Sequence, residues 1–255
     1  LLISGAVPAT QGQSAEDPLI IVSESLRPFE YLQDGEPAGI NVEMTAKILE
    51  SMNIPYQFNI QEHTGIRAME LAKQGKADAI LSVSYKSDRE SFLIYPEGFH
   101  SRINADNFMW ASEYVCFIRN EDKSQITFSS LKQLAEDDYR IGVIEGVSYT
   151  PEFWEAGLNT VADVDEETNF RKLLDGELDM VITDRTIGRA TIKSMGIRDH
   201  LLELNQKVFK KLYTMAMVKE SDLPNKQQLM KDFYERLDML KKSGQAREIY
   251  LKYSY

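Results

Sequence analysis

Cysteine is nearly missing. The chain has one, Cys116, inside an apolar stretch at 114–118. No disulfide or cysteine-held metal can form within a single copy, and a small buried hydrophobe is role enough for that thiol. Histidine is scarce as well. His63, His100 and His200 stand far apart, with none of the spacing that places two imidazoles on one metal. No run of about 18 apolar residues occurs, so nothing in the sequence reads as a membrane span. Positive charge is outweighed, with 29 Lys and Arg against 40 Asp and Glu and a formal net charge of −11. That balance speaks against nucleic acid or an anionic membrane as partner, since either would repel the chain. The acidic run 163–167 lacks the glycine and spacing of a calcium loop. No phosphate-binding loop and no nucleophile–base motif is present. These absences leave neither a cofactor nor a metal to expect.

What is present is ordinary in bulk and informative in order. The 255 residues are 43% hydrophobic and 27% charged, the composition of a globular protein with a sizeable core. The first residues, Leu1 to Ala6, are mostly apolar and run into Val7-Pro8-Ala9. This reads as the tail of a secretory signal, with Ala9 or Ala15 as the last residue removed and a polar leader after it. The other reading is an N-terminal tail of no such origin.

From residue 19 the hydrophobic pattern alternates between strand and helix. The run 19–22 is a short buried strand. A loop follows at 23–28, then an extended piece at 29–32, and Asp34-Gly35 marks a turn. Val42, Ala46, Leu49 and Met52 have helical spacing, with Asn41 as the expected N-cap. Residues 56–60 predict a strand, 65–74 a helix stopped by Gly75, and 77–83 a third strand. Strand–helix–strand order implies a parallel sheet flanked by helices. A long apolar strand is expected at 108–118, with a short helix at 131–135 capped by Ser129 or Ser130. A second unit repeats the grammar. It has a strand at 140–144, a helix carrying Phe153 and Trp154, a strand at 160–164, a helix at 166–174 and a strand at 178–183 that delivers Asp184. A strand at 213–218 returns toward the first unit, and the chain ends in helices. The expected organisation is a leader at 1–18, one lobe from 19–112 with 208–255, and a second from 113–207. The cleft between them is the natural place for a ligand.

One stretch organises the site. Residues 77–81 feed a polar turn, Ser82-Val83-Ser84-Tyr85-Lys86-Ser87-Asp88-Arg89. A guanidinium fork takes a carboxylate through two parallel hydrogen bonds, and serine hydroxyls add to the same anion. A solvated surface turn is the alternative. Ligands of parallel sheets bind at the carboxyl ends of strands, and both this turn and the 23–28 loop lie there.

These stretches, in this order, resemble the family 3 extracellular solute-binding proteins, the periplasmic receptors of polar amino acid ABC transporters. The carriers are Pro28-Phe29-Glu30 followed by Gly39-Ile40-Asn41-Val42-Glu43; Gly75-Lys76-Ala77-Asp78-Ala79; Ser84 with Asp88-Arg89; Ile141-Gly142-Val143 through Gly146-Val147-Ser148; and Gly176-Glu177-Leu178-Asp179 leading to Asp184. The resemblance implies an α/β, two-lobed periplasmic-binding-protein type II fold. It implies Arg89 for a ligand α-carboxylate, assisted by Ser84, the backbone near Ser82, and Ser148 at a helix N-terminus. It implies Asp184 for the α-ammonium. Leu26 stands where the family often places an aromatic over the ligand, and Ser23 where it often has an acid. Tyr31, Tyr85, Trp110 and Tyr149 are the candidates for a replacement aromatic wall.

The function so implied is capture of a small zwitterion, an amino acid above all, by a periplasmic monomer that closes its hinge and is read by a membrane ABC permease. Two other classes stay open. One is a ligand sensor reporting to a signalling partner. The other is a dehydratase-like enzyme on the same scaffold, for which Glu30, Glu145 and Lys86 are the available acid–base groups.

Overall fold

The computed structural model describes residues 17–61, 65–99, 107–145 and 150–253. The signal remnant expected at the N-terminus lies outside them. The first unit starts with β1 (Leu19–Glu24), a short hairpin of β2 (Tyr31–Gln33) and β3 (Glu36–Ala38), and α1 (Ile40–Ser51). It continues with β4 (Tyr56–Gln61), α2 (Gly65–Lys73), β5 (Ala79–Ser84) and the two-residue β6 (Leu93–Ile94). β1 lies between β4 and β5 and runs parallel to both.

The second unit has β7 (Trp110–Arg119), α3 (Leu131–Glu136), β8 (Ile141–Ile144), α4 (Thr150–Glu155) and β9 (Thr160–Asp163). Then come α5 (Glu166–Leu174), β10 (Met180–Asp184) and α6 (Arg185–Met195). β8 is parallel to its neighbours β9 and β10, while β10 is antiparallel to β7. The chain closes with β11 (Leu201–Val218), α7 (Lys226–Lys242) and α8 (Gln245–Tyr253).

One strand joins the two units. β11 is 18 residues long. Its first part pairs antiparallel with β7, from Leu201 opposite Arg119 to Tyr213 opposite Trp110. Its last part pairs antiparallel with β5, from Tyr213 opposite Ser84 to Met217 opposite Ala79. The sheet therefore runs β4-β1-β5-β11-β7-β10-β8-β9, with β6 on the end of β11. Tyr213 is the residue at which the strand changes partners. The sequence pattern predicts only 213–218 as strand, because residues 201–212 carry Glu203, Lys207, Lys210 and Lys211 and bury little. Hydrogen bonding to β7 sets their conformation.

The apolar residues gather on either side of that junction. One cluster unites β1, α1, β5 and α7 through Ile21, Ile48, Leu49, Leu81 and Phe233. Another unites β7, β8, β10 and α4 through Cys116, Val143, Ile182 and Phe153. The buried Tyr234 hydroxyl fixes α7 to β11, accepting from Met215 N (2.9 Å) and donating to Met215 O (3.1 Å).

Two helix starts differ from expectation. Asn41 does not cap α1; Gly39 does, and Asn41 sits fully buried in the first turn. Its amide is drawn instead to Glu30 and Ser82. Gly39 has φ of 123°, and a Cβ there would meet the Phe29 carbonyl oxygen at 2.4 Å. The helix start thus lies directly on the backbone of the 28–30 loop, with Asn41 N donating to Phe29 O (2.8 Å). α6 has no counterpart in the sequence reading. It begins at once after β10, with Asp184 as its N-cap.

Candidate ligand-binding site

The carboxyl end of β5 leads into a short 3-10 helix at Ser87–Ser91. This folds Arg89 back over the strand it follows, and its Nη1 donates to the Ser84 carbonyl oxygen (2.8 Å), with Ser84 Oγ further off at 3.4 Å. Tyr95 adds its hydroxyl to the same carbonyl (3.0 Å). Ser84 itself is buried. Arg89 is half-buried and held by one end of its fork; no hydrogen-bond acceptor meets Nε or Nη2 among the described residues. A guanidinium anchored at one nitrogen and open at the others is prepared for an incoming carboxylate.

Ser82 has a left-handed backbone, φ 55°, uncommon outside glycine and asparagine. That conformation turns its hydroxyl away from the strand end and into a buried polar cluster. Ser82 Oγ accepts from Asn41 Nδ2 (2.8 Å) and from the Trp110 indole N–H (3.2 Å). The same Asn41 amide donates to Glu30 Oε2 (2.9 Å). Glu30 is 1% exposed, and burial, only partly offset by its hydrogen bonds to Ser82 and Asn41, pushes its carboxyl up to about 8. It is therefore protonated at neutral pH. Ser82's side chain belongs to this cluster and has its acceptor capacity filled, so any help it gives a ligand comes from its backbone.

The aromatic candidates separate. Trp110 is sandwiched, with Phe29 on one face (centroids 3.8 Å apart) and Tyr213 on the other (4.5 Å). At 8% exposure it is core rather than cleft wall. Tyr31 is buried under the Arg27 guanidinium, 3.7 Å from its ring centroid. Tyr85 is half-buried and meets Tyr95 edge-on at 5.3 Å. Leu26 is half-buried and packs on the first apolar cluster. Ser148 and Tyr149 lie outside the described residues.

Asp184 is 2% exposed and engaged on every side. Oδ1 accepts from the backbone N–H of Thr186 (2.8 Å) and Ile187 (3.0 Å). Oδ2 accepts from Ser112 Oγ (2.7 Å) and Glu113 N (3.2 Å). Burial raises its carboxyl, against the lowering effect of these four donors. In this arrangement it caps α6 and ties β10 to β7.

Two residues absent from the sequence reading sit at the junction. Tyr213 is half-buried, stacks on Trp110, and shares a hydrogen bond with the Tyr114 hydroxyl (2.9 Å). Burial pushes its phenol up to about 12; Asp184 and Glu24 raise it further and Arg89 lowers it. One phenol thus feels charges from β10 on one side and from β1 and the β5 turn on the other. Glu24, the last residue of β1, is exposed to solvent. Its carboxyl is nevertheless raised, chiefly by the protein around it, with Arg89 acting in the opposite direction. The strand-end rule that selected the Arg89 turn points equally to Glu24. Tyr213 was visible only as the first residue of a predicted strand.

Residues 19–99, which hold Glu24, Glu30, Ser82, Ser84 and Arg89, match the bacterial extracellular solute-binding proteins, family 3. The chain belongs with the family 3 solute-binding proteins. Its family 3 fold extends beyond the matched residues. A histidine kinase sensor domain with similarity to periplasmic binding proteins superposes with a TM-score of 0.76 at 19% identity, covering 94% of this chain and 96% of that one. The GluR0 ligand-binding core in complex with L-glutamate gives 0.76 at 13% identity, covering 95% and 100%. A variant of ArgBP from T. maritima gives 0.70 at 19% identity, covering 92% and 94%. Among curated protein sequences none matches. At these identities the likeness establishes the two-lobed type II fold with its cleft. Among the described residues no helix is long and apolar enough to cross a membrane, and no group of histidines, cysteines and acids could hold a metal.

Proposed function

We propose that the chain captures a small zwitterion, an amino acid, between two lobes and presents the closed form to a membrane partner. The lobes are taken as 19–112 with 208–255, and 113–207, so that the boundaries fall within β7 and β11. The observation that carries the reading is Arg89, anchored through one nitrogen to the Ser84 carbonyl and open at the others. It stands at the carboxyl end of a central strand, where such sheets take ligands. Ser84 and the Ser82 backbone support it, with Ser148 approaching from the second lobe. Hinge closure is the response expected of this architecture. The protein acts as a monomer outside the cytoplasm, and an ABC permease is the partner that fits an extracellular solute-binding family.

A thermal-shift screen against the common amino acids and small carboxylates tests this, with Arg89→Ala alongside. A ligand at about a hundred times its Kd stabilises by roughly 2.7 kcal/mol. For a chain of this size that is a rise of about 5–10 °C. The rise should come from a narrow set of compounds and vanish in Arg89→Ala. A variant that binds like wild type removes Arg89 from the site. A second reading, a sensor for a signalling partner, is supported by the TM-score of 0.76 to a kinase sensor domain over nearly the whole of both chains. Pull-down of a kinase rather than a permease from solubilised membranes would favour it. Enzyme chemistry has less support. Glu30, the acid with the most perturbed titration among its three candidates, is sealed under Asn41 and Ser82 rather than open to a substrate.

A further inference from the structure

A zwitterion needs a cation at one end of its site and an anion at the other, and the anion is not obvious. Asp184 is 2% exposed, and its two oxygens already accept from four donors. An ammonium could reach it only by displacing the cap of α6 or the Ser112 hydroxyl. Each displacement would leave a buried donor unpaired, which is costly. Glu30 is equally closed, and it is neutral at physiological pH. Glu113 is committed to Arg185 and Lys207.

Glu24 is in the opposite condition. It is the terminal residue of β1, exposed, and accepts no hydrogen bond and makes no ion pair among the described residues. The register places it correctly. β1 and β5 run parallel, with Val22 beside Ile80, so two residues on, the end of β1 lies alongside Ser82. The next strand along the sheet puts Tyr213 opposite Ser84. Glu24, the Arg89 turn and Tyr213 therefore share one edge of the sheet, at the carboxyl ends of β1 and β5. A free carboxylate and a half-open guanidinium stand there side by side without closing on each other.

We propose that Glu24 receives the ammonium of the ligand whose carboxylate Arg89 holds, with the Tyr213 ring beneath the pair. Asp184 is then a capping residue that keeps β7 and α6 in place. This rests on the cleft reading above and names its second charged contact. Cations also favour the face of an aromatic ring. Tyr213 has one face covered by Trp110, and among the described residues no ring covers the other.

Titration calorimetry tests the proposal with whichever L-amino acid binds wild type most tightly in the thermal screen. The variants are Glu24→Gln, Glu24→Asp and Asp184→Asn, each checked for its ligand-free melting temperature. Glu24→Gln should melt like wild type, its side chain being exposed, yet bind about tenfold or more weaker, the worth of a charge-assisted hydrogen bond. Glu24→Asp, which keeps the charge, should recover part of that loss. The deamino analogue of the same acid, lacking the cation, should bind wild type and Glu24→Gln within about twofold of each other. A Glu24→Gln that binds the amino acid within twofold of wild type overturns the proposal. So does a folded Asp184→Asn that loses binding while Glu24→Gln keeps it, since the ammonium would then go to Asp184. If no amino acid binds wild type, the cleft reading itself falls and takes this one with it.

Discussion

Glu30 is a carboxyl that the fold keeps neutral. Asn41 Nδ2 donates both to it and to Ser82, while Asn41 Oδ1, also buried, finds no donor. A proton on Glu30 supplies a donor inside that same acid–amide pair. The consequence for stability has an unusual sign. The folded value, about 8, lies above the ordinary 4.5. The stabilising effect of the proton is therefore full below about pH 4.5 and is lost as pH rises toward 8, by at most about 1.4 kcal/mol per unit. Glu30→Gln keeps a donor and cannot ionise. In urea unfolding at pH 5, 6.5 and 8, its stability relative to wild type should climb with pH. A difference that stays level would mean Glu30 carries no proton in the fold. Little of this could be read from the chain. Pro28-Phe29-Glu30 and the glycine–asparagine pair at 39 and 41 were recognisable as a pattern, but nothing in their spacing says that one amide serves both Glu30 and Ser82. Arg89 was legible because a charged residue after a buried strand has few places to go. Asp184 was legible as the residue that ends a strand, whereas its use as a helix cap depended on α6, which the pattern did not reveal.

Elements here are fixed at their ends. Gly39 allows α1 to start against the backbone of the 28–30 loop, and any side chain there would both clash with the Phe29 carbonyl and strain a φ of 123°. Gly39→Ala should cost about 2 kcal/mol or more, seen as a melting temperature lower by at least about 4 °C. A variant that melts within a degree of wild type would show that the loop gives way freely. Asp184→Ala removes the cap of α6, worth roughly 1–2 kcal/mol, and orphans the Ser112 hydroxyl, a further ~1–3 kcal/mol. Guanidinium unfolding should register the larger part of that sum. The helices whose apolar spacing is regular, such as α5 with buried Phe170 and Leu173, were predictable to within a residue or two. β11 was predictable only where it is buried. Its first half carries lysines and a glutamate outward, and its extended form follows from the strand beside it rather than from its own residues.

At the scale of the molecule, two strands carry the connection between halves, and ion pairs reinforce it. Arg185 at the start of α6 joins Glu113 of β7 to Glu203 of β11, and Arg189 holds Glu203 a second time. The halves should move as units about the crossing region. Cys116 is fully buried, and burial pushes its thiol up to about 12, so dyes at neutral pH should react only with cysteines introduced on the surface. Glu70→Cys and Lys132→Cys, one in each half, make a labelled pair whose energy-transfer distance should shorten on adding ligand. An unchanged distance at saturation would argue against closure. The sequence foretold two α/β units and their alternation, but not that a single strand would be central to both. That strand also sets a schedule for the nascent chain. β5 must wait for its partner on β11, because Ser84 meets Tyr213 some 130 residues later. At roughly 5–20 residues per second, the edge of β5 stays bare on the ribosome for about 6–25 s. The N-terminal half therefore cannot finish folding before the rest is made, and during synthesis that edge is where a chaperone would bind or a neighbouring chain would stick.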